Sequence, residues 1–239
     1  MRLKFGSLAS HPGTTGAYYY SKFFNYHGIK ADYHPFRVEN LRESLEKLTR
    51  DGYMGLNVSM PFKHDLVALL YFRSPDVVAF DSCNTVKICD GELHGFNSDI
   101  DGVRKVVSNI GVDDHVVVLG NGAMGKVFDK ILRLQNLSHN IVSQSLGNWE
   151  SRHQNCDVLI NCTSLGTAID ESPVNFLSGT RLVFDLTFNG QKLQEKCSGV
   201  EYRSGIYFYK EVFTAQFMMH TGITPDSDYF DFLTSSRMT

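Results

Sequence analysis

A glycine-rich hexapeptide, Gly120-Asn121-Gly122-Ala123-Met124-Gly125, has the GxGxxG spacing of dinucleotide-binding loops. Glycines at these positions permit a tight turn, close approach of a pyrophosphate to the backbone, and tight packing of the next helix on the preceding strand. The loop follows the apolar run VVVLG at 116–120 and opens a predicted helix at about 124–135, which would place a phosphate at a helix N-terminus. The pattern alone is weak, but in this context we expect Gly120, Asn121, Gly122, Ala123 and Gly125 to bind a dinucleotide.

The residues after the next predicted strand, at 140–143, bear on which dinucleotide binds. An acidic residue there would hydrogen-bond the adenine ribose of NAD, and a basic one would bind the 2′-phosphate of NADP. Ser143-Gln144-Ser145 offers neither, and Arg152 and His139 are the nearest groups that could add positive charge. The residue types therefore leave NAD and NADP open.

Three further segments carry polar residues: GLNVSMPFKHD at 55–65, DSCNTVKICDGELHGFNSDIDG at 81–102, and LINCTSLG at 159–166. With the glycine loop, they resemble the shikimate dehydrogenase family. The corresponding family patterns read approximately N-V-T-x-P-F-K, A-x-N-T followed by H-G-x-N-T-D, and N-A-T-x-x-G. The resemblance covers nearly the whole chain and implies reversible, NADP-dependent interconversion of 3-dehydroshikimate and shikimate, a step of chorismate and aromatic amino-acid biosynthesis.

By this resemblance, Lys63 and Asp99 are the catalytic pair. When a hydride leaves or reaches the substrate carbon, the proton on the substrate oxygen must also move, and a lysine can donate or accept it. In isolation, Lys63 would be read as a solvated loop lysine and Asp99 as a turn or helix N-cap residue. The resemblance also makes Asn84 a substrate ligand and Asn97 a support for the loop.

Several substrate-binding positions depart from the family pattern. Ser59 replaces a threonine and keeps its hydroxyl, whereas Pro12 and Thr14 replace two carboxylate-binding serines, so that one hydroxyl is lost. The family's substrate-binding tyrosine corresponds to Phe188, and its glutamine corresponds to Val212. Gln216 lies one turn later and is read either as a displaced ligand or as an exposed helix residue. The expected substrate-binding residues are Thr14, Ser59, Asn84 and Gln216.

The resemblance assigns the nicotinamide side of the cofactor to Asn161, Thr163, Leu186 and Gly205. The family's Asn-Arg-Thr, whose arginine clamps the NADP phosphate, corresponds to Ser143-Gln144-Ser145. Gln144 therefore takes the place of a bidentate phosphate donor. The expected cofactor is NADP, with NAD possible.

Hydrophobic periodicity predicts the elements that must position these residues. In the first part of the chain we predict a strand at 3–7, a helix whose aromatic stripe is core and which ends at Gly28, a helix with a capping box at Asn40 and Glu43, and a strand at 55–58. Pro61 ends that last strand, because it lacks a backbone donor.

In the second part, strands at 116–120, 140–143, 158–161 and 182–185 alternate with crossover segments, which predicts a parallel, doubly wound sheet. The aromatic, methionine-rich helix from Tyr207 to His220 is expected to pack on the first domain.

The predicted class is therefore α/β with two domains. We expect an N-terminal α/β substrate domain at 1–101 with 207–239, and a Rossmann-like dinucleotide-binding domain at 102–206. Catalysis is expected in a cleft between them.

Composition limits the other possibilities. A net charge of −3 and 42% hydrophobic residues give no broad positive field for nucleic acid but enough apolar side chains for two cores. The segment MRLKFGSLAS lacks the apolar core of a signal peptide, and no apolar stretch is long enough for a membrane span, so we expect a cytoplasmic protein. The five cysteines show no zinc spacing, so no metal is expected. The expected partner is a small-molecule substrate, and the protein is expected to be a monomer or homodimer.

Two alternatives stay open. The first is a quinate- or aminoshikimate-type dehydrogenase, since the departures lie at specificity positions. The second is a non-catalytic homologue that binds a metabolite or dinucleotide, which the lost recognition groups favour and the retained Lys63 and Asp99 oppose.

Overall fold

The computed structural model describes residues 2–167, 171–175, 177, 179–188, 190–226 and 229–230. The chain divides into two compact units, one made of Met1–Asp99 with Val212–Thr239 and the other of Ile100–Glu211. The sequence placed these divisions at 101/102 and 206/207. Within the described part of the chain, no helix is long and apolar enough to cross a membrane.

The first unit is built on a six-stranded mixed sheet with the order β2-β1-β3-β5-β6-β4. Strand β1 pairs in parallel with β2 and β3, β5 runs antiparallel to β3 and β6, and β4 is parallel to β6. Its strands are β1 (Leu3–Ala9), β2 (Ala31–Arg37), β3 (Gly55–Val58), β4 (Phe72–Arg73), β5 (Thr85–Cys89) and β6 (Glu92–Phe96). Its helices are α1 (Thr15–Tyr26), α2 (Leu41–Arg50) and α3 (Pro75–Phe80), with a short 3₁₀ helix at Asp65–Leu69.

The two helices predicted in this unit form for the expected local reasons. The Asn40 side chain accepts a hydrogen bond from the Glu43 backbone N–H, and α2 buries Leu41, Leu45 and Leu48. In α1, Gly28 has φ +64°, and its N–H donates to the Asn25 carbonyl oxygen at 3.3 Å, which satisfies a carbonyl at the helix end. The predicted start of α2 and the predicted end of α1 are both confirmed.

The aromatic stripe of α1 is core, as predicted. Phe23 stacks on Phe217 with ring centroids 4.0 Å apart, and Tyr19 stacks on Phe213 at 4.5 Å. These partners lie on α7 (Gly205–Thr221), whose residues from Val212 onward belong to the first unit. Burying several aromatic side chains against each other supplies a large share of the apolar area that stabilises this unit.

The second unit contains a five-stranded sheet of order β11-β10-β9-β7-β8, in which all neighbours are parallel. Its strands are β7 (Val116–Leu119), β8 (His139–Val142), β9 (Val158–Asn161), β10 (Leu182–Asp185) and β11 (Glu201–Arg203). Its helices are α4 (Asp99–Val107, from the unit boundary), α5 (Ala123–Leu134) and α6 (Gln191–Gln194). The predicted doubly wound, Rossmann-like class is confirmed, and the strand order reverses between β7 and β9, the point at which such sheets bind ligands.

The sequence prediction missed β2, the β5–β6 hairpin and α4. The hairpin turns at Asp90-Gly91, whose φ angles are 50° and 84°. An Asp-Gly pair is a strong two-residue hairpin signal, because both positions need positive φ. The domain assignment as a functional division, and the cleft predicted with it, stay predictions.

Burial of His220 in the first unit makes the stability of the fold depend on pH. Burial lowers the pKa of this histidine from 6.5 to about 4, and its Nδ1 pairs with the Tyr20 hydroxyl at 2.8 Å. Below pH 6.5 the unfolded chain binds a proton here and the folded chain does not, so the free energy of unfolding falls as the pH drops toward 4.

We predict a loss of about 3 kcal/mol from this group between pH 7 and pH 4, measured by urea unfolding. In His220→Gln that part of the pH dependence should disappear, whereas His11→Gln, at an exposed loop histidine, should keep it. Parallel pH profiles in wild type and His220→Gln would contradict the assignment.

Candidate active site and dinucleotide loop

Lys63 and Asp99 form an ion pair, with Nζ and Oδ2 2.7 Å apart and the two side chains 21% and 14% exposed. Lys63 lies in the loop after β3, and its carbonyl oxygen accepts from the Cys83 N–H at 2.9 Å, which ties that loop to the segment before β5. Asp99 is the first residue of α4. The interpretation of Lys63 as a solvated loop lysine is therefore wrong. Asp99 does lie at a helix N-terminus, as its alternative interpretation had it, and it also forms the ion pair.

Asn84 is fixed beside this pair by three donors to its amide oxygen. Oδ1 accepts from Thr85 Oγ1 at 2.8 Å, from the Ser98 N–H at 2.9 Å and from Ser98 Oγ at 3.0 Å. Because the Ser98 N–H can only donate, Oδ1 must face it, and the orientation of the amide is decided. The nitrogen of Asn84 is therefore the end left to donate to a bound molecule.

Gln216 joins the same group from α7. It is 6% exposed, and its Nε2 donates to Ser98 Oγ at 3.1 Å. The reading of Gln216 as an exposed helix residue is therefore wrong. Val212, one turn earlier, is buried and apolar and offers no hydrogen bond.

The topology of the sheet explains why these residues meet. The carboxyl ends of β3 and β6 and the amino end of β5 lie at one edge, since Asn57 is opposite Thr85 and Thr85 is opposite Phe96. Strand β1 is parallel to β3 with Leu8 opposite Val58, so the loop after β1 leaves from this edge as well.

Two predicted substrate ligands, Thr14 and Ser59, are exposed in the loops that follow β1 and β3. Thr14 precedes α1 and makes no side-chain capping bond, and the Ser59 N–H donates to the Leu8 carbonyl oxygen at 2.9 Å. Both therefore follow strands that end at the Lys63 edge, although no hydrogen bond joins them to the ion pair. Asn97 donates to the Ser82 carbonyl oxygen at 2.9 Å, which fits its expected role in supporting the loop.

The sequence prediction missed Ser98, which contacts both Asn84 and Gln216. The signal was in the motif, since Ser98 stands between Asn97 and Asp99 where the family pattern has threonine. A serine in a polar loop is an ordinary residue type, so the sequence alone does not single it out. Its burial, at 0% exposure, does.

In the second unit, the glycine loop has the geometry that its spacing predicts. Gly120 has φ +99°, and a Cβ at Gly125 would lie 1.9 Å from the Gly120 carbonyl oxygen, so neither position admits a side chain without distortion. A Cβ at Gly122 would meet nothing within 4 Å. Gly122 precedes α5 without a side-chain cap, and Asn121 and Ala123 flank it.

The residues of this loop therefore fit a dinucleotide phosphate. The first N–H groups of α5 have no capping side chain, and the space at Gly122 is open for an approaching anion.

The loop after β9 is organised by Asn161, which is fully buried. Its Oδ1 accepts from the Thr163 N–H at 3.1 Å and from Thr163 Oγ1 at 2.6 Å, and its Nδ2 donates to the Leu165 carbonyl oxygen at 2.9 Å. Both ends of the Asn161 amide are used inside the protein, so its side chain shapes this loop. After β10, Leu186 is half-buried, and the Gly205 N–H donates to the Thr187 carbonyl oxygen at 2.9 Å.

The two groups named as sources of positive charge near the adenosine side are both engaged elsewhere. His139 starts β8, at the edge opposite the glycine loop, and its Nε2 lies 3.0 Å from Asp129 Oδ1. Arg152 stacks over the Trp149 ring at 5.1 Å and donates to the Trp149 carbonyl oxygen at 3.0 Å and to Glu150. The expectation that His139 could add charge there is therefore wrong, the expectation for Arg152 stays a prediction, and Gln144 is exposed and uncharged after β8.

Comparison with known proteins agrees with this geometry. The family model for the shikimate dehydrogenase substrate binding domain matches residues 15–86. The shikimate dehydrogenase (NADP(+)) of Desulfitobacterium hafniense is 30% identical over 190 residues, which cover 67% of this chain and 69% of that protein. The chain belongs to the shikimate dehydrogenase family.

A second relative and a solved structure extend the likeness. The shikimate dehydrogenase (NADP(+)) of Pyrococcus abyssi is 28% identical over 230 residues, covering 87% of each chain. The shikimate 5-dehydrogenase of Thermus thermophilus, solved in complex with NADP(H) and shikimate, has a TM-score of 0.80 at 20% identity and covers 98% of this chain and 99% of that chain. At that identity the structural match shows the fold.

At three positions where the family pattern predicts substrate-binding side chains, this chain has apolar residues. Pro12 is half-buried, Phe188 stacks on Tyr209 with centroids 4.3 Å apart, and Val212 is buried. None of the three side chains has a hydrogen-bonding atom. Gln216 is the polar side chain that α7 brings to Ser98 instead.

Proposed function

We propose that the protein is an NADP-dependent shikimate dehydrogenase that interconverts shikimate and 3-dehydroshikimate in the biosynthesis of aromatic amino acids. The observation that carries this proposal is the partly buried Lys63–Asp99 ion pair at the strand edge shared with Asn84. The relatives named shikimate dehydrogenase (NADP(+)) support both the substrate and the cofactor.

Oxidation of the substrate hydroxyl breaks one C–H bond and one O–H bond. The nicotinamide supplies the acceptor for the hydride when the cofactor is bound. For this step Lys63 acts as the neutral amine, whose Nζ takes the hydroxyl proton and becomes the ammonium; in the reverse direction the ammonium returns that proton to the carbonyl oxygen. Asp99 holds Nζ in place through the 2.7 Å contact and accepts a hydrogen bond from a substrate hydroxyl.

The remaining polar groups of the first unit bind and orient the substrate. The Asn84 nitrogen donates to a substrate hydroxyl, because its oxygen is already saturated. Gln216 holds Ser98 from α7, and the exposed hydroxyls of Thr14 and Ser59 bind the carboxylate.

In the second unit we assign the pyrophosphate to the glycine loop and the nicotinamide side to Thr163, Leu186 and Gly205, with Asn161 shaping the loop. Gln144 lies where the adenosine ribose would bind, and its neutral amide can hydrogen-bond either dinucleotide. We therefore expect NADP to be the cofactor, with NAD binding comparably or more weakly. We further propose that the protein acts in the cytoplasm, on small molecules alone, as a monomer or homodimer.

One specific observation favours a second candidate within the same chemistry. The apolar side chains at Pro12, Phe188 and Val212 remove contacts to the substrate, which suits a related cyclic hydroxy acid such as quinate or aminoshikimate. A non-catalytic binding protein would have no need of the Lys63–Asp99 pair.

The deciding experiment follows reduced cofactor by absorbance, with shikimate or quinate and NADP or NAD in all four combinations. We expect turnover with shikimate and NADP. Asp99→Asn, purified in parallel, should lose most of this turnover, which controls for contaminating host enzyme. Absence of turnover in every combination, from protein that binds dinucleotide, would refute the proposed function.

The cofactor preference gives a second test. Gln144→Arg should raise the ratio of kcat/KM for NADP over NAD by about tenfold, because a guanidinium can bind the 2′-phosphate through two hydrogen bonds. Leu134→Arg adds the same charge at the exposed end of α5 and should leave the ratio unchanged. Equal effects of the two variants would mean that Gln144 does not lie near the 2′-position.

A further inference from the structure

Asp185, at the carboxyl end of β10, is a buried carboxylate to which none of the roles above is assigned. Its side chain is 1% exposed. Oδ1 accepts from Asn161 Nδ2 at 3.1 Å and from the Thr187 N–H at 3.0 Å, and Oδ2 accepts from the Tyr202 hydroxyl at 2.9 Å. Among the described residues, no lysine, arginine or histidine forms an ion pair with it.

A carboxylate without a cation partner is costly to bury unless hydrogen bonds replace its water. All three partners of Asp185 are donors, which is the arrangement that an ionised carboxylate requires. The neighbouring groups also respond to it: the pKa values of the Tyr202 phenol and the Cys162 thiol are raised, first by burial and then by the charge of Asp185.

The Asp185 carboxylate is tightly packed on the side that faces Gly190. A Cβ at Gly190 would lie 1.7 Å from Asp185 Oδ2 and 2.4 Å from the Tyr202 hydroxyl oxygen. The carboxylate is thereby held between β11 and the turn before α6.

From this position Asp185 fixes both loops that leave the carboxyl edge of the sheet at β9 and β10. Through Asn161 it sets the conformation of Thr163, whose N–H and hydroxyl both donate to the Asn161 amide oxygen. Through the Thr187 N–H it sets the loop that begins at Leu186. A Cβ at Gly205 would lie 2.6 Å from the Leu186 carbonyl oxygen and 2.7 Å from that of Thr187, so Gly205 packs directly on this loop.

We propose that Asp185 is a positioning residue for the nicotinamide half of the cofactor site. Its hydrogen bonds support the loops that carry all four residues assigned to that half, Asn161, Thr163, Leu186 and Gly205, and none of them goes to the glycine loop. The proposal rests on the proposed function for the identity of the cofactor. Thr163 also packs near Gly120, so the test compares the two halves of the cofactor directly.

The test uses two ligands that differ only in the nicotinamide: NADP, and the corresponding 2′-phospho-ADP-ribose, which lacks the ring. Calorimetric titration of Asp185→Asn should show a Kd for NADP raised about tenfold, the size expected for disturbing hydrogen bonds to a buried charged group. The Kd for the fragment should stay within about twofold of wild type. A general loosening of the unit would weaken both ligands alike, and that result, or unchanged binding of both, would overturn the proposal.

Asp157→Asn is the matched control. Asp157 accepts from the His115 N–H at 2.7 Å just before β9, at the amino edge of the same sheet. This variant should bind both ligands as wild type does. If Asp157→Asn shows the same selective loss of NADP affinity as Asp185→Asn, then the loss does not depend on the location of Asp185 at the carboxyl edge, and the proposal fails.

Tyr202→Phe covers the case in which Asp185→Asn does not fold. It removes the Oδ2 donor together with the longer hydrogen bond to the Gly190 carbonyl oxygen at 3.4 Å, and we expect the same selective loss for NADP at about threefold. Wild-type affinity for NADP in this variant would count against the proposal. Because binding is measured without turnover, a protein that fails to oxidise shikimate yet shows the selective loss would refute the substrate assignment and leave the role of Asp185 standing.

Discussion

The hydrogen bonds from Ser98 to the Asn84 amide oxygen connect the two chain segments that hold the proposed catalytic pair. Asn84 immediately precedes β5, and Ser98 follows β6 immediately before Asp99. The Thr85 and Ser98 hydroxyls, 3.1 Å apart, add a second side-chain link between the start of the hairpin and the start of α4. The same serine receives Gln216 from α7, so one buried hydroxyl links three separate parts of the first unit.

The Lys63–Asp99 pair has an environment suited to proton transfer. Fully exposed ion pairs contribute little, and fully buried pairs lose much of their attraction to desolvation. At 21% and 14% exposure these side chains are between those limits. The ammonium therefore keeps a fixed partner while its remaining N–H bonds stay available for a substrate oxygen.

The sequence alone predicted the features that depend on local pattern. The glycine loop was recognised because three glycines at fixed spacing follow an apolar strand; Gly120 and Gly125 have a steric reason in the structure, whereas the space at Gly122 is open. Lys63 and Asp99 required the family motifs, since 36 residues separate them and only the sheet brings them together. Strand β11 has three residues, too few to show a periodicity.

Other residues were missed because their roles arise only in three dimensions. Ser98 and Asp185 have ordinary types and positions in the sequence, and their importance comes from burial and from the number of donors around them. Asp90-Gly91 is a different case, because the hairpin signal was present and was not used. His139 is close in sequence to the adenosine side, but strand direction places it at the opposite edge of the sheet.

In the proposed mechanism, Lys63 moves the proton of the substrate hydroxyl. The most direct measurement compares hydride transfer in a single turnover with shikimate and NADP, together with the Kd for shikimate, in Lys63→Met and in the exposed-lysine control Lys87→Met. We predict that Lys63→Met binds shikimate within a few-fold of wild type but transfers hydride at least about a hundredfold more slowly, while Lys87→Met behaves as wild type. A Lys63→Met protein that transfers hydride at nearly the wild-type rate would contradict the claim.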